Sequence, residues 1–385
     1  MATATNANSV AQANNAFLFS SMERNFVMPA SNFSQAGQTI DIELESVPGW
    51  AQSVELDVLV DLAVTVATGG TAPSKSSIAP WNIFSTVELS LGGGPFHRVS
   101  PYFYYLRDLA MHPGWNQSYS GPNSYSYSNN VYSVPAISAT AGSTTDNYWA
   151  FKIQIPLQYQ HGGIYGFLPL GNSSVKAKLR LTVQPNLYGT DQYLNPVVGG
   201  TDVTVAIGTA KQSYVRPSIW YRTTSPAQTQ PLPTPTIQKV LNVQERTTQF
   251  VGAGSATPIK FPDPFVYLRL WHVLIDGTGA PNSLSVQQFE LDPAPGYPQY
   301  QFPDQQSMND YWGRTRRLYR QDLPDGVFVM DLWAGSSPEN PNGTQSIDAS
   351  LFQTMQTQLA VTSTTNVASP AKIITYAEAL SPVGF

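Results

Sequence analysis

The chain has 385 residues, with 20 basic and 25 acidic side chains, a net charge of −5 and no cysteine. That length can hold two domains with cores of their own. The missing cysteine excludes disulfides, thiol catalysis and thiolate metal sites, and the acidic balance argues against a dedicated nucleic-acid binder, whose affinity comes from neutralising phosphates.

Charged residues make up 12% of the chain and aromatic residues another 12%. The charged share is about half the usual ~25%, and depletion of charge is the mark of large dry protein contacts. An obligate assembly fits this better than a freely diffusing enzyme. No apolar run approaches the ~20 residues that span a bilayer. The opening MATATNANSVAQANN lacks the basic and apolar regions of a secretory signal.

Residues 1–36 read as a polar N-terminal arm. Phe17, Phe19 and Phe26 are its apolar anchors, and such an arm is either frayed or docked on something. From Gln38 the hydrophobic period becomes two. Ile40, Ile42 and Leu44 alternate with acids, and Val54 to Val66 take every second position of a long strand. The pattern recurs from Trp149 to Leu157 and from Val175 to Val183, with further strands at Val203–Ile207 and Ser213–Tyr221. Such alternation predicts antiparallel strands with one buried face. Asp57 and Asp61 fall on the face expected to be solvated. A helix is predicted at Tyr102–Met111. The loop 112–147 is rich in Ser and Tyr and suits subunit packing or sugar stacking.

Thr223 to Pro235 carries four prolines in thirteen residues, so 223–236 reads as a semi-rigid linker. It separates a first domain at 37–222 from a second at 237–385. The second half repeats the first in outline. Phe265–Ile275 is a long strand, apolar on both faces and therefore expected to be central. A Gly-Thr-Gly-Ala-Pro281 turn, a Phe289-Glu-Leu291 strand and an aromatic helix at Met308–Arg320 then match Gly70-Thr-Ala-Pro73, Val87-Glu-Leu89 and Tyr102–Met111. Strands near Leu351–Val361 and Ala371–Ala377 close the unit. The expected fold is all-β: two tandem eight-stranded jelly-roll sandwiches with short inserted helices.

The stretch Ser307–Trp333 stands out. Ser307 and Asp310 form a capping pattern, Pro324 and Gly326 end the helix, and Val327–Met330 reads as a buried strand. Arg314, Arg316, Arg317 and Arg320 with Asp322 form a candidate structural polar clamp, the alternative being a solvated helix face. Thr315-Arg-Arg317, Leu323-Pro-Asp-Gly326 and the Val-Phe-Val strand resemble the second-domain signature of tectivirus-type major capsid proteins, the hexon-like double jelly-roll coat proteins of membrane-containing viruses.

The resemblance implies a structural coat protein in the virion shell, assembled in the host cytoplasm. Three chains would form a pseudo-hexagonal homotrimer of an icosahedral double-stranded DNA virus. The implied partners are neighbouring trimers, vertex and minor capsid proteins, and an internal lipid membrane reached through the arm; nucleic acid is not contacted sequence-specifically. A carbohydrate-binding β-sandwich, of spike or lectin type, is the alternative.

Catalytic patterns are missing. His97, His112, His161 and His272 have no metal-ligand spacing, and His272, inside an apolar strand, reads as a hydrogen-bonded core residue. The glycines form no phosphate cradle, no Gly-x-Ser-x-Gly elbow occurs, and no pair of carboxylates is singled out. The sequence calls for no cofactor and no metal.

Overall fold

The computed structural model describes residues 12, 16–91, 94–111, 131–158, 166–171, 176–224, 239–250, 252, 254–282, 286–292, 300–302, 307, 323–332, 347–348, 355–361 and 371–382. The principal strands of the first half are β1 (Ser21–Val27), β2 (Thr39–Glu43), β3 (Trp50–Thr71), β4 (Phe84–Leu91), β5 (Gly94–Val99), β6 (Ser143–Pro156), β7 (Ala177–Val183) and β8 (Ser213–Thr224). Helix α1 (Pro101–Met111) lies between β5 and β6. Those of the second half are β9 (Lys239–Gln249), β10 (Thr257–Phe261), β11 (Val266–Ile275), β12 (Val286–Asp292), β13 (Tyr300–Phe302), β14 (Val327–Asp331), β15 (Met355–Val361) and β16 (Lys372–Pro382).

Hydrogen bonding sets the order β1-β8-β3-β6 in one sheet of the first half and β2-β7-β4-β5 in the other. The second half has β9-β16-β11-β14 and β10-β15-β12-β13. Adding eight to each strand number of the first half gives the second, so the repeat of local landmarks extends to the whole topology. Within these runs every neighbouring pair is antiparallel. One parallel pairing, His97 with Val243 and Arg98 with Gln244, joins β5 to β9 and fuses a sheet of each half into a single sheet.

The alternation of β3 places Val54, Leu56, Val58, Val60 and Leu62 in the first core, opposite Leu179 and Leu181 of β7. The same cluster continues into the second half through Trp271, Val273 and Ile275 of β11 and Ile374 and Tyr376 of β16. Their neighbours Leu270, Leu274, Ile373 and Ala377 face a second core with Phe289, Leu291 and Leu359. The sheet containing β11 is therefore buried on both faces. That is why Phe265–Ile275 is apolar at consecutive positions rather than alternate ones.

Three expectations change. Ser21–Val27, inside the expected arm, is the edge strand β1, paired with β8 from Ser21↔Thr224 to Val27↔Ser218. Its side chains are mostly exposed, so no alternation marks it. Asp57 is half-buried and paired with Arg216 at 3.3 Å, but Asp61, expected on the solvated face, is fully buried. The turn between strand Thr201–Ile207 and β8 folds over it: Lys211 N donates to Asp61 Oδ2 at 2.9 Å, and Asp61 N donates to Ser213 Oγ at 2.9 Å. β8 also runs on through Thr224, into the expected linker, whose residues 225–236 lie outside the described residues.

Part of the Ser/Tyr-rich loop is described. Val131–Ser133 pairs with β6, and the Asn147 amide bridges Ser138 with bonds of 2.7 and 3.0 Å. Its residues 112–130 lie outside the described residues.

Candidate functional site: the seam between the two sandwiches

The two halves meet along the β5–β9 pairing, and α1 fills the angle beside it. Ser100 precedes the helix, and Phe103 projects from it onto the second half. The Phe103 ring lies edge-on to Trp271 at 6.1 Å and tilted against Tyr376 at 5.3 Å. One helical turn on from Phe103, Arg107 reaches the same sheet.

Arg107 enters a buried ionic cluster. Its Nε donates to Glu378 Oε2 at 3.3 Å and its Nη2 to the Gln158 carbonyl at 3.3 Å. Glu378 also accepts from Arg269 Nη1 at 3.3 Å and from Trp271 Nε1 at 2.7 Å. Arg269 Nε lies 3.3 Å from Asp331. The carboxylate side chains are 0% exposed, and those of Arg107 and Arg269 10% and 5%. Two cations and two anions thus balance where an isolated charge would be costly. Burial lowers the Arg107 pKa, while the adjacent Glu378 carboxylate opposes that shift.

A second polar cluster lies beside it. Tyr193 and Tyr376 share a hydroxyl–hydroxyl bond of 2.6 Å, and Ser100 Oγ lies 3.1 and 2.8 Å from the two. Ser100 N donates to Glu245 Oε2 at 2.7 Å, and Tyr193 OH donates to Oε1 at 3.4 Å. Lys372 of β16 reaches across to Asp191 of the first half at 3.2 Å. Burial raises the Glu245 pKa and holds both tyrosine hydroxyls well above their ordinary value. His97, on β5 itself, is buried and bonded through Nδ1 to Tyr104 OH at 3.1 Å. Burial and then the charge of Arg107 lower its pKa to about 3, so it sits in the seam as a neutral ring.

The chemistry here is cohesion. Each cluster draws partners from both halves, and its hydrogen bonds run between them; Glu245 also lines an open cavity of about 460 Å³ with Arg98 and Arg246. Among the described residues no group of three or more His, Asp and Glu could hold a metal ion. His272 is a fully buried core histidine whose Nδ1 lies 2.9 Å from Thr375 Oγ1.

The predicted site residues lie elsewhere or are not described. Arg314, Arg316, Arg317, Arg320 and Asp322 fall outside the described residues. Of the three phenylalanines, Phe17 is fully buried against Phe167, whereas Phe19 is 91% and Phe26 38% exposed. The cluster that joins the halves was missed. One signal was available: Arg269 and Glu378 are charges in the middle of largely apolar strands, and such charges are buried in pairs.

Comparison with known folds agrees with the strand order. No family model matches the sequence, and no curated protein does. Solved structures do match. The STIV major capsid protein is 14% identical with a TM-score of 0.62, over 94% of this chain and 97% of that one. A chain in the atomic structure of Sulfolobus turreted icosahedral virus is 14% identical with a TM-score of 0.58, over 94% and 91%. VP54 of PBCV-1, fitted into a reconstruction of the virophage Sputnik, is 11% identical with a TM-score of 0.55, over 94% and 93%.

The chain is a double jelly roll. Both rolls carry the eight-strand, two-sheet wiring of that fold, and the seam is the contact that makes one body of them. In the double jelly roll the paired sheet β9-β16-β11-β14 does two jobs, forming one wall of the second roll and the outer cover of the first.

Proposed function

We propose that this double jelly roll is a major capsid protein, a structural subunit of an icosahedral virion shell rather than an enzyme. The observation that carries the reading is the rigid duplication. Two topologically identical sandwiches are locked side by side through buried ionic and tyrosyl clusters, a construction that holds a shape. The charge-poor composition supplies the second support, because the surface it leaves suits contacts between copies.

In this reading the first roll spans 37–222 with β1 added from the arm, and the second spans 237–385, joined through 223–236. Three chains present six similar sandwiches and so make a pseudo-hexagonal homotrimer that tiles the shell with neighbouring trimers and with vertex and minor capsid proteins. The segment ahead of β1 faces an internal membrane around a double-stranded DNA genome, and assembly takes place in the host cytoplasm. The Arg314–Arg320 stretch with Asp322 clamps the second roll to its surroundings.

The test is the native mass of the purified chain by light scattering over a dilution series. A stable species of three chain masses, forming shell-like particles on concentration, is the expected result. A monomer at every concentration overturns the reading and directs attention to glycan binding.

A further inference from the structure

The seam inside the chain joins one particular pair of edges. β5 is the outermost strand of its run in the first roll, β9 the outermost of its run in the second, and they meet in parallel. Because the rolls share one strand order, each roll owns both kinds of edge. The internal seam uses the β5 edge of the first roll and the β9 edge of the second. Left over are β1, the counterpart of β9, and β13, the counterpart of β5. Among the described residues β1 ends its sheet beside β8, and β13 ends its sheet beside β12.

An exposed edge strand is normally blunted by charge, by proline or by brevity. β2 follows that rule: its outward Asp41 pairs with Arg180 at 2.7 Å, and its outward Glu43 pairs with Lys176. β1 is blunted only in part. It is seven residues long and free of proline, and of its two charges, Glu23 and Arg24, Glu23 is drawn back to Arg222 of the neighbouring β8 at 3.7 Å. Four large apolar side chains of the described chain are exposed, and three of them, Phe19 (91%), Phe26 (38%) and Val27 (57%), lie on β1 or just before it. Their concentration along this long edge marks a surface that is covered in the working state.

We infer that β1 of one copy docks in parallel along β13 of a second copy, repeating between chains the seam that β9 and β5 make within one. The occupant is the same chain because β13 is, strand for strand, the equivalent of β5, which receives the β1 equivalent β9. The contact joins two different patches, so it is heterologous and closes into a ring when its rotation permits. This rests on the shell-subunit reading and adds to it which edges meet and in which direction.

The absence of cysteine makes thiol trapping clean. Asn25→Cys with Gln301→Cys, and Phe26→Cys with Gln301→Cys, place thiols at successive positions of β1. One of the two must face the same side as position 301, since strand side chains alternate. Under mild oxidation one double variant gives a covalent ladder of dimers and higher species on non-reducing gels, and each single variant stays at one chain mass. In parallel, Phe26→Asp with Val27→Asp, both at exposed positions, lowers the native mass to that of one 42.0 kDa chain while the far-ultraviolet circular dichroism stays that of the folded protein. If the wild type is oligomeric but neither double variant cross-links and the aspartates leave its mass unchanged, this seam is wrong and the shell-subunit reading stands. If the wild type is itself monomeric throughout, both fall.

Discussion

Glu378 is the most informative residue to change. It is fully buried and accepts from Arg107 of the first roll and from Arg269 and Trp271 of the second. Glu378→Gln keeps the shape and an acceptor for Trp271 but removes the charge that both buried guanidiniums contact. Breaking a buried ion pair from one side costs about 3–5 kcal/mol. Arg107→Met with Glu378→Gln restores local charge balance, because Arg269 and Asp331 still pair at 3.3 Å. The double variant is therefore expected to lose less than the sum of the two single losses, with a coupling of about 1–3 kcal/mol. Guanidinium unfolding followed by tryptophan fluorescence measures both quantities, and Trp271 lies in the cluster. A loss below about 1 kcal/mol for Glu378→Gln, or strict additivity in the pair, would refute a charge-balanced clamp.

The tyrosyl cluster gives a smaller effect. Tyr376→Phe removes a hydroxyl bonded to Ser100 and Tyr193 at 2.8 and 2.6 Å, and about 1–2 kcal/mol of unfolding free energy should go with it. The two buried histidines set a pH dependence. His97 and His272 have pKa values near 3 in the fold against 6.5 ordinarily. Protons then bind the unfolded chain more readily, and stability present above pH 6.5 is lost as pH falls toward 3, at roughly 2 kcal/mol per histidine by pH 5. Replacing His272 by Gln should flatten the slope of stability between pH 7 and 5, and an unchanged slope would count against the burial argument. Glu245 has the opposite sign: its raised pKa makes its contribution favourable in acid and lost as pH rises above 4.5, so Glu245→Gln should improve stability most at neutral pH. Gly208→Ala would set a methyl 2.5 Å from the carboxylate of the buried Asp61. About 1–3 kcal/mol of destabilisation is expected, seen as a lower thermal midpoint.

The sandwich strands were legible because a sheet with one wet face writes a period of two into the sequence. Val175–Val183 emerges within two residues of β7, Trp149–Leu157 covers the second half of β6, which starts six residues earlier at Ser143, and the both-face apolar character of Phe265–Ile275 correctly marked a central strand. β1 was not legible, because an edge strand with little buried surface leaves no period to read. The seam was hidden for another reason. Arg107 and Glu378 are 271 positions apart, and no local pattern links a helix of one roll to the last strand of the next. Asp61 misled because its strand alternates faithfully; the turn that covers it comes 150 residues later.

A sheet walled in on both sides has a history as well as a shape. β3 and β11 hold the same place in their respective rolls. Yet β3 keeps a half-open face along much of its length, while β11 is buried at every position after the first. Two copies that began alike would therefore drift under unequal constraint: the outer one keeps exchangeable positions on its half-open face, and the inner one almost none. Across related chains the tolerated substitutions should pulse with a period of two along β3 and fall silent along β11.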